Sequence, residues 1–183
     1  MRRFLVLGGL LLIGAGSAMA QADETPKVET SPAFMYIHIV PGQGSKNFNC
    51  VGGGGTLALN LNKWLGVAAD LGGCKVTGLP SGVSVNAFTY LFGPRITFRS
   101  SSAFQPFFEA NFGGTRLSGS ITGGGNGSTN AFAMTAGGGF DIVLSKRFAL
   151  RPVQAEYFLT NFGSMHQNNF RLKSGIVIRW GTK

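Results

Sequence analysis

Acidic residues are scarce in this chain: seven Asp and Glu among 183 positions, with only 13% of all residues charged. A soluble domain usually carries about twice that share. So little charge excludes a solvated helical bundle, a coiled coil and a disordered tail. Beyond the first residues there is also no run of about 18 apolar positions, so no helix is available to span a bilayer. Cysteine is limited to Cys50 and Cys74 and histidine to His38 and His166. Two cysteines without a histidine near in sequence make a poor metal site, and none is expected. What is plentiful is glycine, at 29 residues, and phenylalanine, at 16, within a hydrophobic fraction of 44%. An apolar, glycine-rich, helix-poor chain of this length predicts a single domain built as a barrel of short alternating strands.

The amino terminus predicts export. Arg2 and Arg3 precede an almost wholly apolar stretch from Phe4 to Ala15, and Ala18-Met19-Ala20 supplies small residues where a signal peptidase reads. These are the three regions of a secretory leader over residues 1–20, with cleavage after Ala20. Residues 21–31 then read as a flexible mature amino terminus and 32–183 as the barrel. Without the leader, 14 basic residues face 7 acidic ones. An exported protein with that excess meets anionic lipid, including lipopolysaccharide phosphate, rather than nucleic acid.

From residue 32 onward, segments of roughly ten alternating residues predict eight strands, at 33–41, 49–61, 64–75, 86–98, 105–117, 131–144, 148–161 and 169–180. Short separators, at Asn62-Lys63, 99–102 and 145–147, alternate with longer ones at 42–48, 76–85, 118–130 and 162–168. Three tight turns on one side and four loops on the other fit an eight-stranded, antiparallel, up-and-down transmembrane β-barrel with both chain ends on the turn side. Parity separates the faces. Phe88, Tyr90, Phe92, Ile96 and Phe98 oppose Thr89, Arg95 and Thr97; Phe170, Leu172, Ile176, Ile178 and Trp180 oppose Arg171, Lys173 and Arg179. A soluble sandwich has the same period, with its oily face as the core. Aromatics near segment ends (Trp64, Phe98, Phe148, Trp180) favour the membrane, where interfacial girdles belong. The glycine runs 52–55 and 137–139 lack the lysine of a phosphate loop and serve curvature instead.

The last segment, Lys173-Ser174-Gly175-Ile176-Val177-Ile178-Arg179-Trp180, resembles the insertion signal of outer-membrane barrels, with Lys173, Gly175, Ile178 and Trp180 at its marked positions. Gly181-Thr182-Lys183 follow, whereas the aromatic usually ends the chain. Together with Tyr90-Leu91-Phe92-Gly93-Pro94-Arg95 and Ala136-Gly137-Gly138-Gly139-Phe140-Asp141, this segment makes residues 32–181 similar to the outer-membrane β-barrel family of the OmpA/OmpX type. The resemblance implies a Gram-negative outer membrane, and insertion by the barrel-assembly machinery after delivery by periplasmic chaperones. It implies little about activity, because the fold carries many roles. No peptidoglycan-binding domain is expected.

Cys50 and Cys74 lie symmetrically about residue 62, the tip of a hairpin, which predicts a cross-strand disulfide near the outer rim in an oxidising compartment. Inward parity collects Asp70, Arg95, Glu109, Asp141, Glu156, Arg171, Lys173 and Arg179 as a charge network that plugs the lumen, since an eight-stranded barrel is about wide enough for its own side chains. Paired carboxylates for glycoside hydrolysis would need a cleft that a filled lumen does not offer. For a lipid A-modifying enzyme the candidates are Ser164 with His166, in an order reversed from the deacylase pattern, and His38, of inward parity but without a serine. No catalytic residue and no cofactor is expected. The reading favoured is a monomeric integrity or surface-interaction barrel, whose Lys46 and Lys75 lie near lipopolysaccharide phosphates. The alternatives are a small channel and, behind it, a lipid A-modifying enzyme.

Overall fold

The computed structural model describes residues 25–41, 46–101, 103–162 and 165–182. The leader expected over 1–20, residues 21–24 and Ser164 lie outside the described residues. Eight strands follow in order: β1 (Pro26–Ile39), β2 (Phe48–Asn60), β3 (Leu65–Thr77), β4 (Val83–Thr97), β5 (Phe104–Ile121), β6 (Asn126–Val143), β7 (Phe148–Phe162) and β8 (Met165–Thr182). Each pairs antiparallel with its neighbour, and β8 closes on β1 from Pro26↔Thr182 to His38↔Phe170. Closure removes the sheet edge, which in a membrane would otherwise leave backbone groups without partners.

The period of two is visible in burial. Along β3, Gly66, Ala68, Asp70, Gly72, Cys74 and Val76 are buried while Val67, Leu71 and Lys75 are exposed. The exposed face forms an apolar band around the barrel. It includes Phe34 (58% exposed), Phe92 and Phe112, with Trp64, Phe98 and Trp180 toward the tight turns. Large apolar side chains are exposed this extensively only where lipid covers them. The tight turns are set by local side chains. Asn62 Oδ1 accepts hydrogen bonds from the backbone N–H groups of Trp64 and Leu65 (3.0 and 2.8 Å), and Ser145 Oγ accepts from that of Phe148 (3.1 Å). Such short-range acceptors are what make Asn and Ser turn formers.

Several boundaries differ from those expected. β1 starts at Pro26, so residues 26–31, read as a flexible terminus, are part of the barrel wall. The stretches 118–130 and 162–168, read as loops, are largely strand: β5 runs to Ile121, β6 starts at Asn126, and β7 and β8 reach Phe162 and Met165. Likewise β4 begins at Val83, inside the expected loop 76–85, where Gly78 and Gly82 take the positive φ of the turn. Residues 118–130 are rich in Gly, Ser, Thr and Asn and exposed on both faces. A ladder beyond the membrane needs no apolar face, so its sequence looks like loop.

The cysteines do form a disulfide, with Cα atoms 5.5 Å apart, but its register differs from the expected one. The hairpin is centred on residue 63, so Cys50 stands opposite Val76 and Cys74 opposite Gly52. The bridge is therefore diagonal. Gly52 makes room for it, since a Cβ there would stand 2.8 Å from Cys74 Cβ. The last pair before the turn is Asn60↔Gly66, so an odd run of five residues, 61–65, lies between the partners and sets the centre at 63. Because the linked strands are already hydrogen-bonded, the double variant Cys50→Ser/Cys74→Ser is expected to fold and keep the mobility difference between boiled and unboiled samples. It should lose about 2–4 kcal/mol of stability. Urea unfolding in micelles checks this; an unchanged midpoint or a failure to fold contradicts it.

Candidate functional site

The lumen holds the chemistry. Toward the tight-turn end, Glu29 of β1 meets three arginines: Arg99 Nη2 and Arg179 Nε each lie 3.3 Å from Oε1, and Arg95 Nη2 lies 4.0 Å from Oε2. Asp141 of β6 accepts from Arg151 twice, at 2.7 and 3.0 Å, and from Arg95 at 3.3 Å. The paired contact uses the planar fork of the guanidinium. Phe107 packs into the same space, with the guanidinium carbons of Arg95 and Arg151 4.0 and 4.2 Å from its ring centre. The ring thus spreads attraction over two like charges that would otherwise repel. Arg179 also donates to Gln105 Oε1 at 2.7 Å.

Further along the lumen, Arg171 Nε donates to Glu156 Oε2 at 2.6 Å and its Nη1 to Asp70 Oδ1 at 2.9 Å. The Lys173 ammonium donates to Asp70, and lies 3.7 Å from Glu156 and 4.0 Å from Glu109. The Thr56 hydroxyl donates to Asp70 Oδ2 at 2.9 Å. Gln154 ties the two groups together. Its carbonyl accepts from Arg151 Nη1 (3.1 Å), and its amide donates to Glu109 (2.6 Å) and Glu156 (3.1 Å). Arg95, Arg151, Arg171, Glu29, Glu109 and Glu156 are each buried to within 1%. Ions removed from water to that degree persist only when paired or hydrogen-bonded. The lattice gives each of them at least one such partner, while among the described residues Glu109 Oε2 accepts no hydrogen bond and Arg171 Nη2 donates none.

The eight residues expected in the lumen all point inward, and the contacts gather them with others the sequence did not single out: Glu29, Arg99, Arg151 and Gln154. Arg151 escaped because parity changes within β7. Gln154 and Glu156 share a face with Arg151, three positions away, through a β-bulge in which β7 advances from Arg151 to Gln154 while β8 retreats only from Gly175 to Lys173. Pro152, with no N–H for the ladder, sits inside that irregularity and was the signal available. Glu29 was missed because it fell in the stretch read as flexible.

Toward the loop end the lumen becomes apolar. Met35, Ile37, Leu91, Ala133, Phe158 and the disulfide form a buried cluster there, with Arg171 stacked 5.6 Å from the Phe158 ring centre. Among the insertion-signal positions, Lys173 faces the lumen, Gly175 lies opposite Ala33 and Arg151, and Ile178 and Trp180 occupy the outer face. His38 was expected to face inward. It faces outward, because the lumen parity of β1 is that of Glu29, Met35 and Ile37, and its ring hydrogen-bonds Asn49 Oδ1 at 2.9 Å. His166 is exposed, opposite Asn161.

A closed eight-stranded barrel with a lipid-facing apolar band and an ion-filled interior is a membrane-spanning β-barrel. The chain belongs to the outer membrane protein beta-barrel domain family, whose model matches residues 8–176. Among curated proteins, no sequence matches it. Solved structures with similar folds include Neisserial surface protein A, at 13% identity and TM-score 0.72, covering 84% of this chain and 97% of that one. The attachment invasion locus protein Ail of Yersinia pestis is 16% identical with TM-score 0.55, covering 82% and 99%. The outer membrane protein OprG of Pseudomonas aeruginosa is 10% identical with TM-score 0.56, covering 87% and 98%. At these identities the likeness is one of fold.

If the lattice braces the barrel, Asp141→Leu alone leaves Arg151 buried without its carboxylate and is expected to cost about 3–5 kcal/mol. Adding Arg151→Met should restore more than half of that loss. Urea unfolding of the refolded variants checks the coupling; two separate, additive losses would show that the pair acts independently.

Proposed function

We propose that the protein is a structural barrel of the outer membrane, contributing to membrane integrity and surface contact, with anionic lipid as its main partner and no catalytic role. The observation that carries this reading is the segregation of charge. All five acidic residues among the described residues, Glu29, Asp70, Glu109, Asp141 and Glu156, are buried in the lumen against bases. The exposed surface is left with basic residues: Lys46, Lys75 and Arg116 toward the loops, and Lys27, Lys63, Lys146 and Arg147 toward the turns. Each rim of the apolar band therefore presents positive charge at the depth of lipid headgroups.

Lys75 and Arg116 sit on the outer face above Phe88, around a shallow depression whose floor includes Gly52 and Gly73. Lipopolysaccharide phosphates are the counterpart this arrangement suits, at about 1 kcal/mol per basic residue near an anionic surface. The ion lattice occupies the space that a channel would need, which favours the structural reading over a pore. Export by the leader at 1–20, chaperone delivery, and recognition of β8 by the barrel-assembly machinery complete the proposal, with the barrel acting as a monomer.

Reversing two outer charges, in Lys75→Glu/Arg116→Glu, is expected to leave the boiled–unboiled mobility shift intact while lowering co-purified lipopolysaccharide more than tenfold. Native mass spectrometry of barrels extracted from membranes reads this directly. Equal lipopolysaccharide retention in both proteins would count against the lipid role.

A further inference from the structure

The loop-end mouth of the lumen contains a cavity of about 250 Å³ that no lipid-facing residue needs. Its walls come from seven strands, all but β6, and include Ile37, Val76, Val85, Leu117 and Phe158, with the Cys50–Cys74 disulfide also lining it. No ionisable side chain lines it among the described residues. Its polar groups are Asn169, Thr160 and Gln167, which hydrogen-bond one another across β7 and β8, and Thr115 on β5. Those groups are largely engaged with the protein. Asn169 Oδ1 accepts from the Val40 N–H (3.0 Å) and its Nδ2 donates to Thr160 Oγ1 (3.2 Å). The Thr160 hydroxyl donates to Gln167 Oε1 (3.3 Å), and that of Thr115 to the Phe88 carbonyl (3.3 Å).

Water gains little in such a space. A buried water requires two to four polar partners, and an apolar cavity of about 150 Å³ can stay dry and accept benzene. This cavity is larger. At about 30 Å³ for each water-sized unit, it holds roughly eight, the bulk of a medium-length alkyl chain. The ion lattice lies further along the lumen from the mouth, so the cavity is a blind pocket rather than a passage.

We infer that the mouth of the barrel binds a single small amphiphile arriving from outside: an alkyl chain of about eight carbons in the apolar pocket, with an uncharged hydrogen-bonding head, such as an alcohol, amide or ester, beside Gln167 and Asn169. A charged head is disfavoured because no counter-charge lines the pocket and burial removes its water. The binding stands apart from the lipid role of the outer surface, which uses the opposite face of the wall.

The test is a titration of 1-octanol into the methyl-labelled protein in lipid nanodiscs, followed by NMR. Saturable shifts are expected at the lumen methyls of Ile37, Val76 and Leu117, with nuclear Overhauser contacts from the octyl chain to them. Octanoate at neutral pH should bind more than tenfold more weakly. Val85→Phe, and independently Ala87→Phe, place a ring in the pocket and should abolish saturation while preserving the boiled–unboiled shift. Should neither variant fold, the contacts in the wild-type protein decide. Shifts that rise linearly without saturation, or that are equal at the lipid-facing methyls of Val51 and Leu57, would mean partition into the bilayer only and would overturn the proposal. So would an unchanged affinity in a folded pocket-filling variant.

Discussion

Burying ten or so charges inside a barrel only eight strands wide is the constraint on which the rest of this structure depends. An eight-stranded wall encloses room for side chains and little else, and its interior cannot shed a charge into bulk water. Each ion placed there must therefore find its partners across the lumen. Asp70 of β3 meets Arg171 and Lys173 of β8, and Glu29 of β1 meets Arg95 of β4. These contacts run between strands that are not neighbours in the sheet, so they brace the barrel across its diameter as the backbone ladder braces it around its circumference. Breaking one member strands another, which is the costly event for buried pairs. The lattice thus specifies a particular stagger of strands as well as filling the space.

The same constraint shapes the outside. Because the five acids among the described residues are used up in the lumen, the exposed charges among those residues are all of one sign. Lumen and surface are thus two consequences of one partition of charge. The loop-end half follows a different logic. There the lumen changes from ions to Met35, Ile37, Leu91 and Phe158, and a disulfide joins β2 to β3. An ionic section supplies the bracing and leaves an apolar mouth above it.

The period of two made most of the barrel legible. It separated Phe88, Tyr90 and Phe92 from Thr89 and Arg95, and it assigned all eight of the named inward charges to the correct face. Parity counting fails where the backbone adds a residue, and β7 does so at Arg151–Gln154. There the side that carries Arg151 can be recognised only once the ladder is known. A contrast of oily and polar faces also disappears beyond the membrane, so the arms around 118–130 looked like loop although they pair as strand. The disulfide shows a finer limit. Which cysteines face each other depends on the length of one turn, and a one-residue change in its centre converts a direct pair into a diagonal one. The partners in the ion lattice were out of reach for a related reason: strand stagger, which brings Arg151 of β7 to Ser31 of β1, is a property of closure and not of any one segment.

The most direct measurement is electrical recording of the refolded, disulfide-bonded protein in planar bilayers at high salt. A lumen closed by its own ion lattice predicts insertion without any steady ohmic conductance across the range of applied voltage. Reproducible ohmic steps that disappear when the same preparation is boiled would contradict it, because they would require a continuous water path through the place where Asp70, Glu109, Glu156, Arg171 and Lys173 now interlock.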